Sequence, residues 1–439
     1  MRVTYEIFKR YRANKSSSLY GIRYELVQDY KSLSLTLNWS KRSRFSIKGE
    51  SVGRCPVDLG DYIVIFRNSK FLYGGVVQDV QAECHNVETE VFSWEASGDD
   101  DSIIFDWRII LTDNGSSKNM ANLTFDSETY DKSDGYAYNR ILHYIEQCFG
   151  TPTMSARRIT GLVFPTAAQI NAIPAAKRGK NESSAYRLKK LSDALKEIGE
   201  EDNLFAKYEW NPTTNDRRIT IPLLRDRTTT YTDESGKKYD PIIISPQFGN
   251  IASWSVSKSF PKFNAIWVCS GDYTTEQDGE TYKNRIWVYA EDADSIAKYG
   301  RIESVVTKSE ISVKKDDPET EENEKLTKAQ ATRMLQDEAR KALEENAAKE
   351  KYTIKLAQIE DMKFMEDWMV GDKVKAIIGK KEDGTPNVMY PIIETVSITF
   401  TGNEEKLTPT VGETEEGLFS DVFKMISGID KRLQSEETK

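Results

Sequence analysis

The sequence predicts a β-rich α+β protein built of several small barrel or sandwich domains with helical insertions. Three observations lead there. Short alternating segments bounded by Gly, Asn, Asp and Pro fill the first hundred residues and return after residue 200. Between them lie segments at helical spacing. At 439 residues the chain exceeds one core, which rarely grows past about 250–300 residues.

Taken in order, strands are expected at 20–27, 33–39, 44–47, 62–66, 74–80 and 90–97, with Asn68-Ser69-Lys70 as a turn. Residues 112–135, rich in Asn, Ser, Asp and Gly, read as a long loop. Helices follow at 138–149, ending before Gly150, and at 187–198, ending before Gly199. A hairpin is expected at 204–224 around Pro212-Thr213-Thr214-Asn215-Asp216, then strands at 251–257, 265–270 and 285–289. An acidic linker at 314–325 leads to a long helix from Thr327, which with Gln330 forms a capping-box pattern. Strands at 352–359, 373–378 and 392–399 complete the β material. The expected division is 1–111, an N-terminal β domain; 112–200, a loop-rich helical insertion; 201–312, a middle β domain; 313–415, a helix and a C-terminal β domain; and 416–439, an amphipathic helix. In that last segment Val422, Ile426, Ile429 and Leu433 repeat at coiled-coil spacing, a candidate oligomer or docking seam.

Composition excludes several classes. A net charge of −9 argues against a free-standing nucleic-acid binder, which needs a surplus of Lys and Arg. The local clusters Lys9-Arg10-Tyr11-Arg12 and Lys41-Arg42-Ser43-Arg44 read as a solvated face or a subunit contact. Cys55, Cys84, Cys148 and Cys269 lie far apart with no CxxC pair, so neither a zinc site nor a disulfide framework is signalled. The N-terminus lacks an apolar signal core and no run reaches the ~18 apolar residues of a membrane span, so cytoplasmic synthesis without a membrane anchor is expected.

Candidates for chemistry are few. His85 beside Cys84 would point to the opposite face of a strand. His143 and Cys148, five apart on a helix, do not share a face. Abundant carboxylates provide no specific pair, and Asp99-Asp100-Asp101 at a strand end suits the binding of backbone amides or a helix start. Gly74-Gly75 lacks the frame of a phosphate loop and suggests a bulge or close packing. Exposed Tyr and Trp would favour sugar binding, but buried sheet aromatics account for them equally. No enzyme, cofactor or metal site is expected.

One pattern repeats. Leu59-Gly60-Asp61-Tyr62-Ile63 is echoed by Val370-Gly371-Asp372-Lys373-Val374, an apolar-Gly-Asp-x-apolar phrase in which Gly60 and Gly371 allow a positive-φ turn and Asp61 and Asp372 can bind its amides. Each phrase launches a strand, followed by a turn at Asn68-Ser69-Lys70 or Asp383-Gly384.

The order of these phrases resembles the hub proteins of tailed-phage baseplates and tail tips, in particular the siphovirus ReqiPepy-type hub-like family. The residues are Phe45 to Glu50, then Leu59-Gly60-Asp61, then the Phe-x-x-Gly-x-Val phrase from Phe71 to Val77, then Trp94-Glu95-Ala96-Ser97-Gly98-Asp99-Asp100. Farther on, residues 188–198 look like the family's helix, residues 251–256 like its middle strands and residues 370–412 like its final barrel. Asp106-Trp107-Arg108 departs from the Asp-Arg more usual in relatives.

The resemblance implies a hub-like fold and a structural hub in the virion, at the tail tip or baseplate. The hub would be a homo-oligomer, with a trimer expected, forming a ring that joins the tail tube and distal tail protein to tip or receptor-binding components. It would lie near the tape-measure protein, and phage DNA would pass through its channel without specific binding. The alternative is a cell-wall carbohydrate-binding or carbohydrate-degrading tail protein. Some relatives carry a C-terminal lytic domain. The roughly forty residues after the last expected strand fall short of the ~50-residue lower bound for a domain, so none is expected here.

Overall fold

Alternation of apolar and polar residues gives the chain its main element, an eleven-stranded sheet drawn from both ends of the sequence. We analysed a computed structural model. It describes residues 3–10, 24–28, 30–111, 131–153, 155–211, 216–233, 235–277, 280–309, 311, 328–357, 362–380, 384–402 and 404–412. The seam at Val422, Ile426, Ile429 and Leu433 lies outside the described residues, as do Asp383, Thr327 and the linker at 314–325.

The chain groups into two compact units, Met1–Trp254 with Thr353–Lys439, and Ser255–Tyr352. Strands of the large sheet, numbered along the chain, are β1 Tyr5–Arg10, β2 Tyr24–Leu26, β3 Tyr30–Asn38, β4 Arg44–Val52, β5 Tyr62–Arg67, β6 Lys70–Asn86, β7 Val91–Asp100, β8 Ile251–Ser259, β9 Lys349–Leu356, β10 Ile393–Thr401 and β11 Glu404–Val411. Their order is β8-β9-β11-β10-β3-β4-β7-β6-β5-β1-β2. N-terminal and C-terminal β segments, expected in separate domains, therefore share one sheet.

Their junction is the antiparallel β3–β10 ladder, with Leu33 opposite Phe400, Leu35 opposite Ile398 and Leu37 opposite Val396. All but the half-buried Leu37 are buried, in a core with Ile47, Ile63, Ile65 and Trp94. The sheet also curls. Tyr5 of β1 packs its ring, tilted by 49°, against that of Phe400 of β10 with centroids 4.8 Å apart. Arg67 of β5 grips Glu405 of β11 through two bonds, Nε to Oε1 at 2.7 Å and Nη2 to Oε2 at 2.8 Å. The Tyr5 hydroxyl donates to the same carboxylate. Strands far apart in the ladder thus meet through side chains, and the strand order itself does not close among the described residues.

The first unit also holds a helical layer. Helices Ala137–Phe149 and Leu191–Gly199 bury Ile141, Ile145, Leu191, Leu195 and Ile198 together. The second helix starts later than its periodicity predicts, because Leu188 takes φ +49° and Lys190 is still extended. The hairpin forms between Lys207–Asn211 and Asp216–Thr220.

In the second unit, strand Ala265–Ser270 lies between Trp287–Glu291, antiparallel, and Glu303–Lys308, parallel. Helix Lys328–Asn346 covers one face, where Ala331, Leu335 and Ala339 meet Ile266, Val268 and Val288.

Candidate functional site

The repeated phrase builds the same turn twice. Gly60 and Gly371 have φ of +81° and +90°, in the region an L side chain rarely adopts. Each glycine N–H donates to a strand carbonyl, Gly60 to Val77 at 2.9 Å and Gly371 to Ile393 at 3.0 Å. Each aspartate folds back three residues. Asp61 N donates to the Asp58 carbonyl at 3.2 Å, and Asp58 N donates to Asp61 Oδ2 at 2.9 Å. Asp372 N donates to the Met369 carbonyl at 3.3 Å, and Met369 N donates to Asp372 Oδ2 at 3.0 Å.

Their surroundings differ. Asp372 is fully buried and receives a two-point bond from Arg225, Nε to Oδ1 at 2.6 Å and Nη2 to Oδ2 at 2.7 Å. Such fork-to-carboxylate geometry fixes direction as well as charge. Burial works against the charge on Arg225, but the bonds and charge of Asp372 outweigh it and raise its pKa. Arg227, also buried, lies 3.7 Å from Asp372 Oδ2 and donates to the carbonyls of Asp240 and Asp367. The Tyr239 ring carries both guanidinium groups, 5.4 Å and 5.0 Å from its centroid. Sequence reasoning missed this assembly because Arg225 and Arg227 sit where a strand gives way to polar loop.

Among the described residues Asp61 is joined to no arginine by an ion pair or hydrogen bond. Burial raises its pKa, and the nearby Lys9, itself buried, offsets this only in part while bonding the Pro56 carbonyl and standing 3.4 Å from Glu25.

The two central phrases pack against each other. In the β6–β7 ladder Val76 faces Asp99 and Val77 faces Gly98. A Cβ on Gly98 would lie 1.9 Å from the Val76 carbonyl oxygen, and one on Gly75 would lie 2.6 Å from that of Asp99. The acidic run beside them is structural. Asp100 accepts from Ser102 N at 3.0 Å to open the short helix Asp101–Trp107, and from Ser43 N at 2.6 Å. Asp99 pairs with Arg44 at 2.8 Å, Asp101 with Arg217, and Asp106 with Arg42. Arg42 and Arg44 of the Lys41 to Arg44 cluster are therefore matched by acids of their own chain.

His85 Nε2 bonds Ser93 Oγ at 2.6 Å, and His143 Nε2 bonds Asp131 Oδ1 at 2.8 Å. Buried Cys148 faces the Ile109 carbonyl, and burial pushes its thiol up to about 11. Among the described residues no group of His, Cys, Asp and Glu could hold a metal, and no helix is long and apolar enough to cross a membrane.

The family model described as Siphovirus ReqiPepy6 Gp37-like protein matches residues 23–413, and the chain belongs to that siphovirus tail protein family. No curated protein sequence matches it. Among solved structures it is similar to the prophage MuSo2 43 kDa tail protein from Shewanella oneidensis, at 10% identity over 92% of this chain and 98% of that one, with a TM-score of 0.45. It is also similar to a tail protein from Neisseria meningitidis MC58, at 10% identity over 93% and 96%, TM-score 0.43. A third is prophage tail protein gp18 from Listeria monocytogenes EGD-e, at 9% identity over 97% and 99%, TM-score 0.42.

Proposed function

From that family membership we propose that the protein is the structural hub of a phage or prophage tail tip or baseplate. It forms an oligomeric ring, a trimer in this reading, that joins the tail tube and distal tail protein to tip or receptor-binding components. The observation that carries this is the match of the family model over residues 23–413. Two features of the fold support it. One is the curled sheet, in which Arg67, Glu405 and Tyr5 lock the two ends of the sequence into one frame. The other is β8, which stands at one end of the strand order and is exposed along nearly all of its nine residues. An open edge of that length is a template for pairing with another chain.

The role is non-enzymatic in this reading: among the described residues the buried aspartates Asp372, Asp101 and Asp99 are held by arginines, and Asp61 is engaged by the Asp58 N–H of its own turn. Native mass spectrometry of the full chain, alone and with its distal tail protein, tests the reading. A ring with a fixed subunit number is expected; a stable monomer at micromolar concentration under both conditions overturns it.

A further inference from the structure

Among the described residues, one face of the second unit's small sheet is exposed at four large side chains. Strand alternation sends Ile266, Val268 and Val288 under helix Lys328–Asn346, so the opposite face carries Trp267, Trp287, Tyr289 and Val305. These are 42%, 51%, 39% and 60% exposed. They are contiguous. Trp267 lies between Tyr289 and Val305 in register, with its ring centroid 4.7 Å from that of Tyr289. Trp287 stands in the next row, opposite Cys269. Single exposed apolar residues are ordinary, whereas these four join into one small patch with a polar rim.

We propose that this face binds a short, uncharged oligosaccharide. Area decides against a protein partner held by this face alone. Three strands about 4.8 Å apart and five residues of about 3.3 Å give roughly 240 Å². A standard protein interface takes about 800 Å² per partner. Charge decides against a polyanion: Arg301 is engaged by Glu291 at 2.7 Å and Glu303 at 3.5 Å, and Arg285 by Asp272. The rim therefore offers hydrogen-bonding groups without net positive charge. Two Trp rings and one Tyr ring, with electron-rich faces, suit the C–H face of a pyranose. The Tyr289 hydroxyl, held by Arg301 Nη1 at 2.5 Å, and the Glu291 and Glu303 carboxylates suit its hydroxyls.

This inference rests on the second unit's own residues and is independent of the hub reading. The test is tryptophan fluorescence of the full chain titrated with chitotriose, cellotriose, maltotriose and mannotriose, with light scattering in parallel. At least one trisaccharide should give a saturable shift. Trp267→Ala and Trp287→Ala should each weaken it at least about tenfold, while Trp267→Phe retains most of it and circular dichroism stays unchanged. Val305→Lys, which leaves every ring in place, should weaken it less. No response to any of the four sugars overturns the proposal, as does binding by both alanine variants as tight as the parent's. A fall in subunit number in those variants also overturns it, since a second copy of the chain would then be what covers the face.

Discussion

Asp61 and Asp372 close the same turn in two distant parts of the chain, yet only Asp372 is clasped by an arginine fork. The difference sets their energetic weight. Asp372→Ala leaves buried Arg227 and half-buried Arg225 without their counter-charge and should cost about 3–5 kcal/mol. Asp61→Ala removes a turn bond and should cost about 1–2 kcal/mol. Urea denaturation monitored by tryptophan fluorescence compares them. The double variant Arg225→Met, Asp372→Leu should recover part of the loss, because Arg225 is no longer left unpaired while Arg227 keeps only its carbonyl partners.

The two turn glycines should separate in the same way. A Cβ on Gly60 meets nothing within 4 Å, so Gly60→Ala carries only the positive-φ penalty, about 1–2 kcal/mol. A Cβ on Gly371 falls 2.3 Å from ring atoms of Trp39, itself buried. Gly371→Ala adds overpacking of about 1–3 kcal/mol. Thermal unfolding should place it well below Gly60→Ala, and equal midpoints would refute the contact.

Gly98 and Gly74 make a sharper pair. Gly98→Ala would force β6 and β7 apart at the Val76 carbonyl and should cost about 3 kcal/mol or abolish soluble expression. Gly74→Ala, whose nearest neighbour is the Asp101 side chain at 3.4 Å, should stay within about 1 kcal/mol of the parent. Soluble yield and unfolding midpoints read both.

The curl of the large sheet depends on Glu405. Glu405→Gln weakens the bonds to Arg67 and the Tyr5 hydroxyl, and Glu405→Ala removes them. Amide hydrogen exchange should quicken in β1 and β11 while the β3–β4 ladder keeps its protection. Uniform acceleration across all strands would mean that the contact supports global stability instead.

Acid should act through Asp106. Burial opposes its charge, but the Ser192 hydroxyl, Arg42 and Lys190 outweigh that and hold the carboxyl below its usual range. The folded state then binds fewer protons than the unfolded state near pH 4, so stability rises with pH there. The contribution is present above the unfolded value of about 3.9 and is lost as pH falls through the folded one. Asp106→Asn should flatten the acid limb of a stability profile below about pH 5. Asp61, raised by burial, has the opposite sign: its contribution is present below the unfolded value and lost as pH rises through the folded one.

What the sequence by itself determined is local. Alternation located β4, β5 and β7, and helical spacing located Ala137–Phe149, because those periods follow from backbone geometry within one segment. The Gly-Asp echo was legible for the same reason: positive φ and a three-residue fold-back are short-range demands. Only the tertiary structure decided the pairings. Nothing near Leu35 announces Ile398, since any alternating strand could fill that slot and the choice rests on how the whole sheet is ordered. Arg225 looks like a loop residue until Asp372, 147 positions farther along the chain, arrives beside it. Trp267 and Trp287 read as strand residues, but which face of their sheet a helix would cover, and which would stay open, was fixed by the packing of Leu335 and its neighbours.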